Sequence, residues 1–151
     1  MRKIFFHFAD RNVRLTKTKQ IKTFLSEIFK NEKITFERVD YIFCSDNYLL
    51  RLNKNFLRRN YFTDILSFEL NEQFEPLTGE IYISIDRVLE NSRLYKTGFK
   101  NEILRVIFHG TLHLCGYKDK RPQDAKIMRQ KEDLYLDRFK DYISVSRETP
   151  Q

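Results

Sequence analysis

The chain has 151 residues, and its length fits one globular domain. Hydrophobic residues make up 41% and charged residues 32%, while glycine (4) and proline (3) are scarce, which excludes a disordered chain or a collagen-like repeat. The 28 basic side chains against 21 acidic ones give a net charge of +7, which favours nucleic acid as a partner, although a charge of this size also serves solubility alone.

Strand patterns dominate the first half of the chain. The segment KIFFHF predicts a strand and is too short for a signal-peptide core or a membrane span, so we expect a cytoplasmic protein that does not enter a membrane. A helix opening at Thr16 or Thr18 follows, and then a strand in KITFERVDYIFC. Ser45 and Asp46 are the candidate caps of a short next helix. The runs ILSFEL and GEIYISI predict two further strands that lie side by side.

Helical patterns dominate the second half. They run through RVLENSRLYK, through NEILRVIFHGTLHLC as far as Gly116, and from Pro122 to about Phe139, and the final SVSRETPQ is expected to be a frayed tail. This order predicts an α+β fold, a small mixed β-sheet of about four strands packed against helices, within a single domain of residues 1–151. Cys44 and Cys115 lie in apolar patterns without ligand spacing, which predicts two buried, reduced thiols.

Two of the three histidines, His109 and His113, stand four residues apart in a helical pattern. One helical turn places both imidazoles on the same face, where they can converge on a metal ion. Gly116 favours the end of that helix, and the returning chain brings Asp119 into reach as a third ligand. Three protein ligands with an open fourth position are typical of a catalytic zinc site, and the alternative is a histidine pair unrelated to a metal.

The zinc-protease pattern HExxHxxGxxH has the same ligand spacing, so a metalloprotease is an alternative. Its general base is the glutamate that follows the first histidine, and this chain has Gly110 at that position. The protease interpretation therefore lacks its base. The missing side chain instead predicts room beside the metal for a large substrate group such as a phosphodiester.

The stretch HGTLHLCGYKD resembles the HGxLHLxGYDH hallmark of the YbeY family of metal-dependent endoribonucleases. The resemblance extends upstream to LNKNFLRRNYFTDILSFEL and to GEIYISI, in the same order, and covers most of residues 52–119. Asp119 stands where the family usually has a third histidine, and Lys118 where an aspartate often precedes it. Carboxylate is a harder ligand than imidazole, so another divalent transition metal could replace zinc.

The resemblance implies a single-strand-specific, metal-dependent endoribonuclease that matures ribosomal RNA at the 3′ end of 16S rRNA and takes part in ribosome quality control. It implies single-stranded RNA, ribosomal RNA and the ribosome or its small subunit as partners. The family's catalytic loop arginine falls at Leu57 by ungapped alignment, so Arg58 or Arg59 would take its role, with Arg59 preferred. The metal would activate water, and the arginine would stabilise charge on the phosphate.

Several neighbouring residues have two interpretations each. The block 51–60 is basic without an acidic residue, and it predicts either an RNA-facing patch or a solvated helix face. Tyr61, Phe62 and Tyr117 could stack unpaired bases or simply pack, and Asp64 could accept a proton or fix its loop. Because no general base is evident, a non-catalytic RNA- or ribosome-binding factor stabilised by its metal remains a further alternative.

Overall fold

The computed structural model describes residues 2–58 and 63–148, and the side chains of residues 2–58 and 63–145. Within these ranges the chain forms four strands and five helices, in the order β1 (Lys3–Phe8), α1 (Thr18–Asn31), β2 (Phe36–Cys44), α2 (Asp46–Leu57), β3 (Ile65–Glu69), β4 (Leu77–Ser84), α3 (Ile85–Leu94), α4 (Phe99–Leu114) and α5 (Pro122–Glu148). The predicted α+β class is confirmed. None of the helices in the described ranges has the length and apolar character needed to cross a membrane.

The four strands form one mixed sheet in the order β1-β2-β4-β3. Strands β1, β2 and β4 run parallel, and β3 pairs antiparallel with β4, with Ile65 opposite Ile83. The prediction that β3 and β4 lie side by side is therefore confirmed. Their pairing brings the start of β3 to the carboxyl end of β4, where the backbone N–H of Ser84 donates to the carbonyl of Asp64.

Helices cover both faces of the sheet. The main core joins one face to α1, α4 and α5, and it includes the fully buried Val39, Ile81 and Ile83. On the opposite face, α2 covers a smaller apolar cluster that contains Cys44 and Leu66. Burial of apolar surface on both faces is the main stabilising contribution of such a layered arrangement.

A hydrogen-bonded network caps the two helices that follow the parallel strands. Ser45 and Ser84 are the N-caps of α2 and α3, and each side chain accepts a hydrogen bond from a backbone N–H in the first turn. Asp10 accepts from both the backbone N–H and the hydroxyl of Ser45. Of the two predicted caps of α2, Ser45 is confirmed, and Asp46 is the first helical residue.

The central helix α4 is anchored by a buried hydrogen bond to the sheet. Thr111 donates to the carbonyl of Ile107, so its oxygen is free to accept the hydroxyl proton of Tyr41 on β2, 2.6 Å away. Both side chains are fully buried. This pair fixes the rotation of α4 about its axis, and that rotation decides which α4 residues face the solvent.

Gly110 lies on the buried side of α4, against the sheet. A Cβ atom at this position would lie 2.6 Å from Ile65 Cδ1 and 2.7 Å from Ile81 Cγ2, closer than van der Waals contact allows. The expectation that Gly110 makes room for a substrate beside the metal is therefore wrong. Its absent side chain lets the helix approach the sheet instead.

Replacing Gly110 with alanine is expected to destabilise the protein, although alanine is the better helix former. The helix gains about 1 kcal/mol, but overpacking a core costs about 1–3 kcal/mol, and the branched Cγ2 of Ile81 has little freedom to move away. Denaturant unfolding should show a net loss of up to about 2 kcal/mol. The exposed Lys100→Ala in the same helix is the control and should change stability by less than about 0.5 kcal/mol. Equal stability of both variants would contradict this packing.

Two further expectations need correction. Helix α5 continues to Glu148, so the frayed tail predicted from residue 144 is wrong over 144–148. The reason is that Tyr142 and Ile143 continue the apolar helical spacing and pack against the core. Both cysteines are free thiols as predicted, but only Cys44 is buried and Cys115 is partly exposed.

Candidate metal centre

The end of α4 presents a pair of histidines next to a tight turn. His109 and His113 are partly exposed, with side-chain exposures of 20% and 25%. Gly116 has a φ of 103°, the left-handed conformation predicted for the residue that ends the helix. The backbone N–H of Tyr117 then donates to the carbonyl of Leu112, and the chain turns back towards the histidines.

The turn brings Asp119 to the histidine pair, as the sequence predicted. The two Nε2 atoms are 2.9 Å apart, and Asp119 Oδ2 lies 3.1 Å from His109 Nε2 and 3.5 Å from His113 Nε2. At metal–ligand bonds of roughly 2.0–2.1 Å, tetrahedral geometry separates two ligand atoms by about 3.3 Å. The three side chains therefore form a group with the spacing of a metal site, and all their ligand atoms lie within 4.8 Å of one another.

The hydrogen bonds of the two imidazoles fix which nitrogen carries the proton. His113 Nδ1 is 2.9 Å from the carbonyl of Tyr117, which can only accept, so this nitrogen is protonated. His109 Nδ1 lies 2.6 Å from Glu132 Oε2, and it donates to that carboxylate. In the neutral rings both Nε2 atoms then carry lone pairs, and these converge with an oxygen of Asp119. A cation would compensate the three converging lone pairs, so the donor set fits a divalent metal.

Glu132, on α5, is a residue that the sequence analysis missed. It is almost fully buried and also accepts from Arg105, 2.9 Å away, while Arg105 donates to Asp133 at 2.7 Å. Burial alone would lower the pKa of His109, but the hydrogen bond and the charge of Glu132 raise it above the ordinary value. Glu132 thus holds the ring in place and makes it a stronger base, the usual function of an outer carboxylate at a metal ligand.

A polar cleft of about 370 Å³ opens beside His109. Its lining includes His109, Asp119, Asp64, Arg105 and Glu132. Burial raises the pKa of Asp64 above the usual range of an aspartate, in spite of the neighbouring His109. A carboxyl group with a raised pKa in a cleft next to candidate metal ligands can exchange a proton with a substrate at a higher pH than a surface aspartate does.

Of the remaining candidate residues from the sequence, those that the structure describes are not part of the group of candidate metal ligands. Arg58 is exposed and ends α2 in a left-handed conformation with a φ of 54°. Arg59, Tyr61 and Phe62 lie outside the described residues, so their roles stay predictions. Tyr117 is partly buried, and its hydroxyl donates to Glu32 at 2.6 Å, which favours a structural role over base stacking.

Comparison with known proteins places this geometry in context. A family model described as Endoribonuclease YbeY matches residues 6–140. The Endoribonuclease YbeY of Cytophaga hutchinsonii is 45% identical over 133 residues, covering 88% of this chain and 93% of that protein. That of Flavobacterium psychrophilum is 44% identical over 115 residues, covering 76% and 81%. The solution structure of a Thermotoga maritima protein is also similar, with a TM-score of 0.64, 29% identity and coverage of 99% and 97%.

Proposed function

The chain belongs to the endoribonuclease YbeY family, and from this premise we propose that it hydrolyses single-stranded RNA with one divalent metal ion held by His109, His113 and Asp119. Zinc is the first choice, because two imidazoles, one carboxylate and an open fourth position form a typical catalytic zinc site. The observation that carries the proposal is the convergence of three lone pairs within 3.5 Å.

The chemistry is divided between the ion and the protein. A divalent ion in this site supplies Lewis acidity towards a phosphoryl oxygen and lowers the pKa of water towards neutrality. Glu132 and the carbonyl of Tyr117 hold the two imidazoles in the required orientation. The carboxyl group of Asp64 lies on the cleft wall, where it can accept a proton from the attacking water. Arg59, or Arg58 in its place, stabilises the negative charge that develops on the phosphate.

We also propose the RNA substrate, the cellular role and the partner of the protein. The substrate is ribosomal RNA, cleaved near the 3′ end of 16S rRNA, and the protein also serves ribosome quality control in the cytoplasm, with the ribosome or its small subunit as partner. The net charge of +7 supports a polyanionic partner. Residues 1–151 would act as one domain, which is supported by a core that joins α1, β2, α4 and α5.

The two alternatives have less support. A metalloprotease of the usual type needs a glutamate after the first histidine, and residue 110 here faces the sheet rather than the cleft. A non-catalytic binding factor has no need of an open cleft beside the ligands, with a carboxyl group of raised pKa in its wall. An activity assay separates both from a ribonuclease.

The test compares cleavage of a labelled single-stranded RNA with cleavage of the same RNA in a duplex. We expect the wild-type protein to cut the single strand preferentially, and Asp119→Ala to reduce cutting by more than about 100-fold, because a missing ligand costs more than the 10- to 100-fold effect of a missing outer partner. Lys118→Ala is the matched control, since Lys118 is an exposed neighbour that is not a ligand. Equal activity of Asp119→Ala and wild type, or equal cutting of both substrates, would contradict the proposal.

A further inference from the structure

A buried carboxylate at the end of α1 gathers three donors. Glu32 follows the last residue of α1, and its side chain is only 10% exposed. One oxygen accepts the hydroxyl of Tyr117 at 2.6 Å, and the other accepts the hydroxyl of Tyr135 and the ammonium group of Lys131, the latter at 3.3 Å. Glu32 thereby joins α1, α5 and the turn that follows α4.

The turn held by Glu32 is the one that orients a candidate metal ligand. Tyr117 donates its hydroxyl to Glu32, and its own backbone carbonyl accepts the Nδ1 proton of His113 at 2.9 Å. We infer that Glu32 is a positioning residue for His113, and that it acts through Tyr117 to hold this imidazole with its Nε2 towards the metal. The inference rests on the proposed function for the identity of the bound ion.

The turn is held mainly through Tyr117, whose backbone N–H donates to the carbonyl of Leu112 and whose side chain packs against the core. Gly116, directly before Tyr117, has a left-handed φ, and a Cβ atom placed on it would meet no other atom within 4 Å. Gly116 itself adds no packing to the turn, so the contacts of Tyr117 place its carbonyl, and the hydrogen bond to Glu32 is one of them. Removal of the Glu32 carboxylate leaves two tyrosine hydroxyls without their acceptor, which favours a rearrangement of the turn.

The same turn of α5 supports both imidazoles. Lys131 and Tyr135 are four residues apart and hold Glu32, while Glu132 between them accepts directly from His109. His109 is thus oriented by a carboxylate in direct contact, and His113 by a carboxylate that acts through one intervening residue. Glu132 is thus part of this turn of α5, and Glu32 contacts it through Lys131 and Tyr135.

The test measures the dissociation constant for Zn²⁺ by competition with a chromophoric chelator, in Glu32→Ala, Tyr117→Phe and the double variant. Outer partners of metal ligands typically contribute about 10- to 100-fold in affinity, and we expect about 10-fold weaker binding in each single variant because Glu32 acts through Tyr117. The double variant should bind no more weakly than either single one, since both break the same connection. Glu27→Ala, exposed on the same helix, is the matched control and should bind as the wild type does.

A purely structural role predicts a different pattern. Glu32→Ala would then lower the melting temperature of the metal-free protein and leave the Zn²⁺ dissociation constant of the folded protein unchanged, which would overturn the inference. Tyr117→Phe keeps the backbone carbonyl and removes one hydroxyl only, so it remains informative if Glu32→Ala does not fold.

A second readout separates this inference from the proposed function. In the metal-free protein, the Nδ1 proton of His113 should give a nuclear magnetic resonance signal protected from solvent exchange, and that signal should be lost in Tyr117→Phe. If wild-type protein bound no Zn²⁺, the proposed metal would be wrong, while loss of this signal would still support the positioning role of Glu32. A signal that survives in both Glu32→Ala and Tyr117→Phe would overturn the positioning role.

Discussion

Replacement of His113 by alanine is expected to remove bound zinc from a protein that stays folded, and to reduce RNA cleavage by more than about 100-fold. Without His113 only two protein ligands remain, and the loss of one of three protein–zinc bonds weakens binding strongly. The fold should survive, since His113 is partly exposed and its Nδ1 hydrogen bond to the carbonyl of Tyr117 lies within the site. Elemental analysis of the purified variant and a cleavage assay measure the two effects.

The remaining histidine offers a matched control for this experiment. His7 lies on β1 and pairs with Asp40 at 2.6 Å, so His7→Ala removes an imidazole from a different part of the protein. Its zinc content and activity should equal those of the wild type. One equivalent of zinc in His113→Ala would show that the ion binds elsewhere, and the proposed ligand set would then be wrong.

The second large effect is expected for Glu132→Gln, with a 10- to 100-fold loss of zinc affinity, the usual range for an outer carboxylate. The amide has one acceptor atom in place of two, so it cannot accept from both His109 and Arg105 as the carboxylate does. The pKa of His109 should also fall, because its raised value depends on the hydrogen bond and the charge of Glu132. Chelator competition measures the affinity, and an imidazole titration of the metal-free protein measures the pKa.

Asp133→Asn is the matched control for Glu132→Gln. Asp133 neighbours Glu132 and pairs with the same Arg105, but its side chain is 56% exposed and it accepts no hydrogen bond from His109. We expect little change in zinc affinity. If both variants bound zinc equally well, the contact between Glu132 and His109 would have no role in metal binding.

Local patterns were sufficient to predict that His109, His113 and Asp119 form one group. The spacing of His109 and His113 and the position of Gly116 all lie within two helical turns, and the geometry of a helix end follows from the residues that form it. Ser45 at the start of α2 is a similar case, since capping depends on the first turn alone. Such features need no knowledge of the tertiary structure.

The supporting residues could not be predicted in the same way. Glu132 lies 23 residues from His109, and Glu32 lies 85 residues from Tyr117. These pairs meet because α1 and α5 pack against α4, and this packing follows from the shape of the whole core. A single glutamate on an amphipathic helix has no local pattern that distinguishes it from a solvated one.

Gly110 is an intermediate case, because the periodicity of a helix predicts the direction in which residue 110 points. Adjacent helical residues point about 100° apart, so residue 110 points well away from its neighbour His109. Closeness to His109 along the chain suggested a place beside the metal, but neighbours in a helix sequence point in different directions. The distances to Ile65 and Ile81 show that the glycine serves helix–sheet packing.

The most direct test of the central claim is the metal dependence of RNA cleavage by the wild-type protein. The metal is removed with a chelator, the chelator is dialysed away, and cleavage of a single-stranded RNA is measured before and after one equivalent of zinc is added. If His109, His113 and Asp119 hold the ion that supports hydrolysis, cleavage is lost on removal and restored by zinc. Full cleavage by a protein shown to be free of metal would contradict the account.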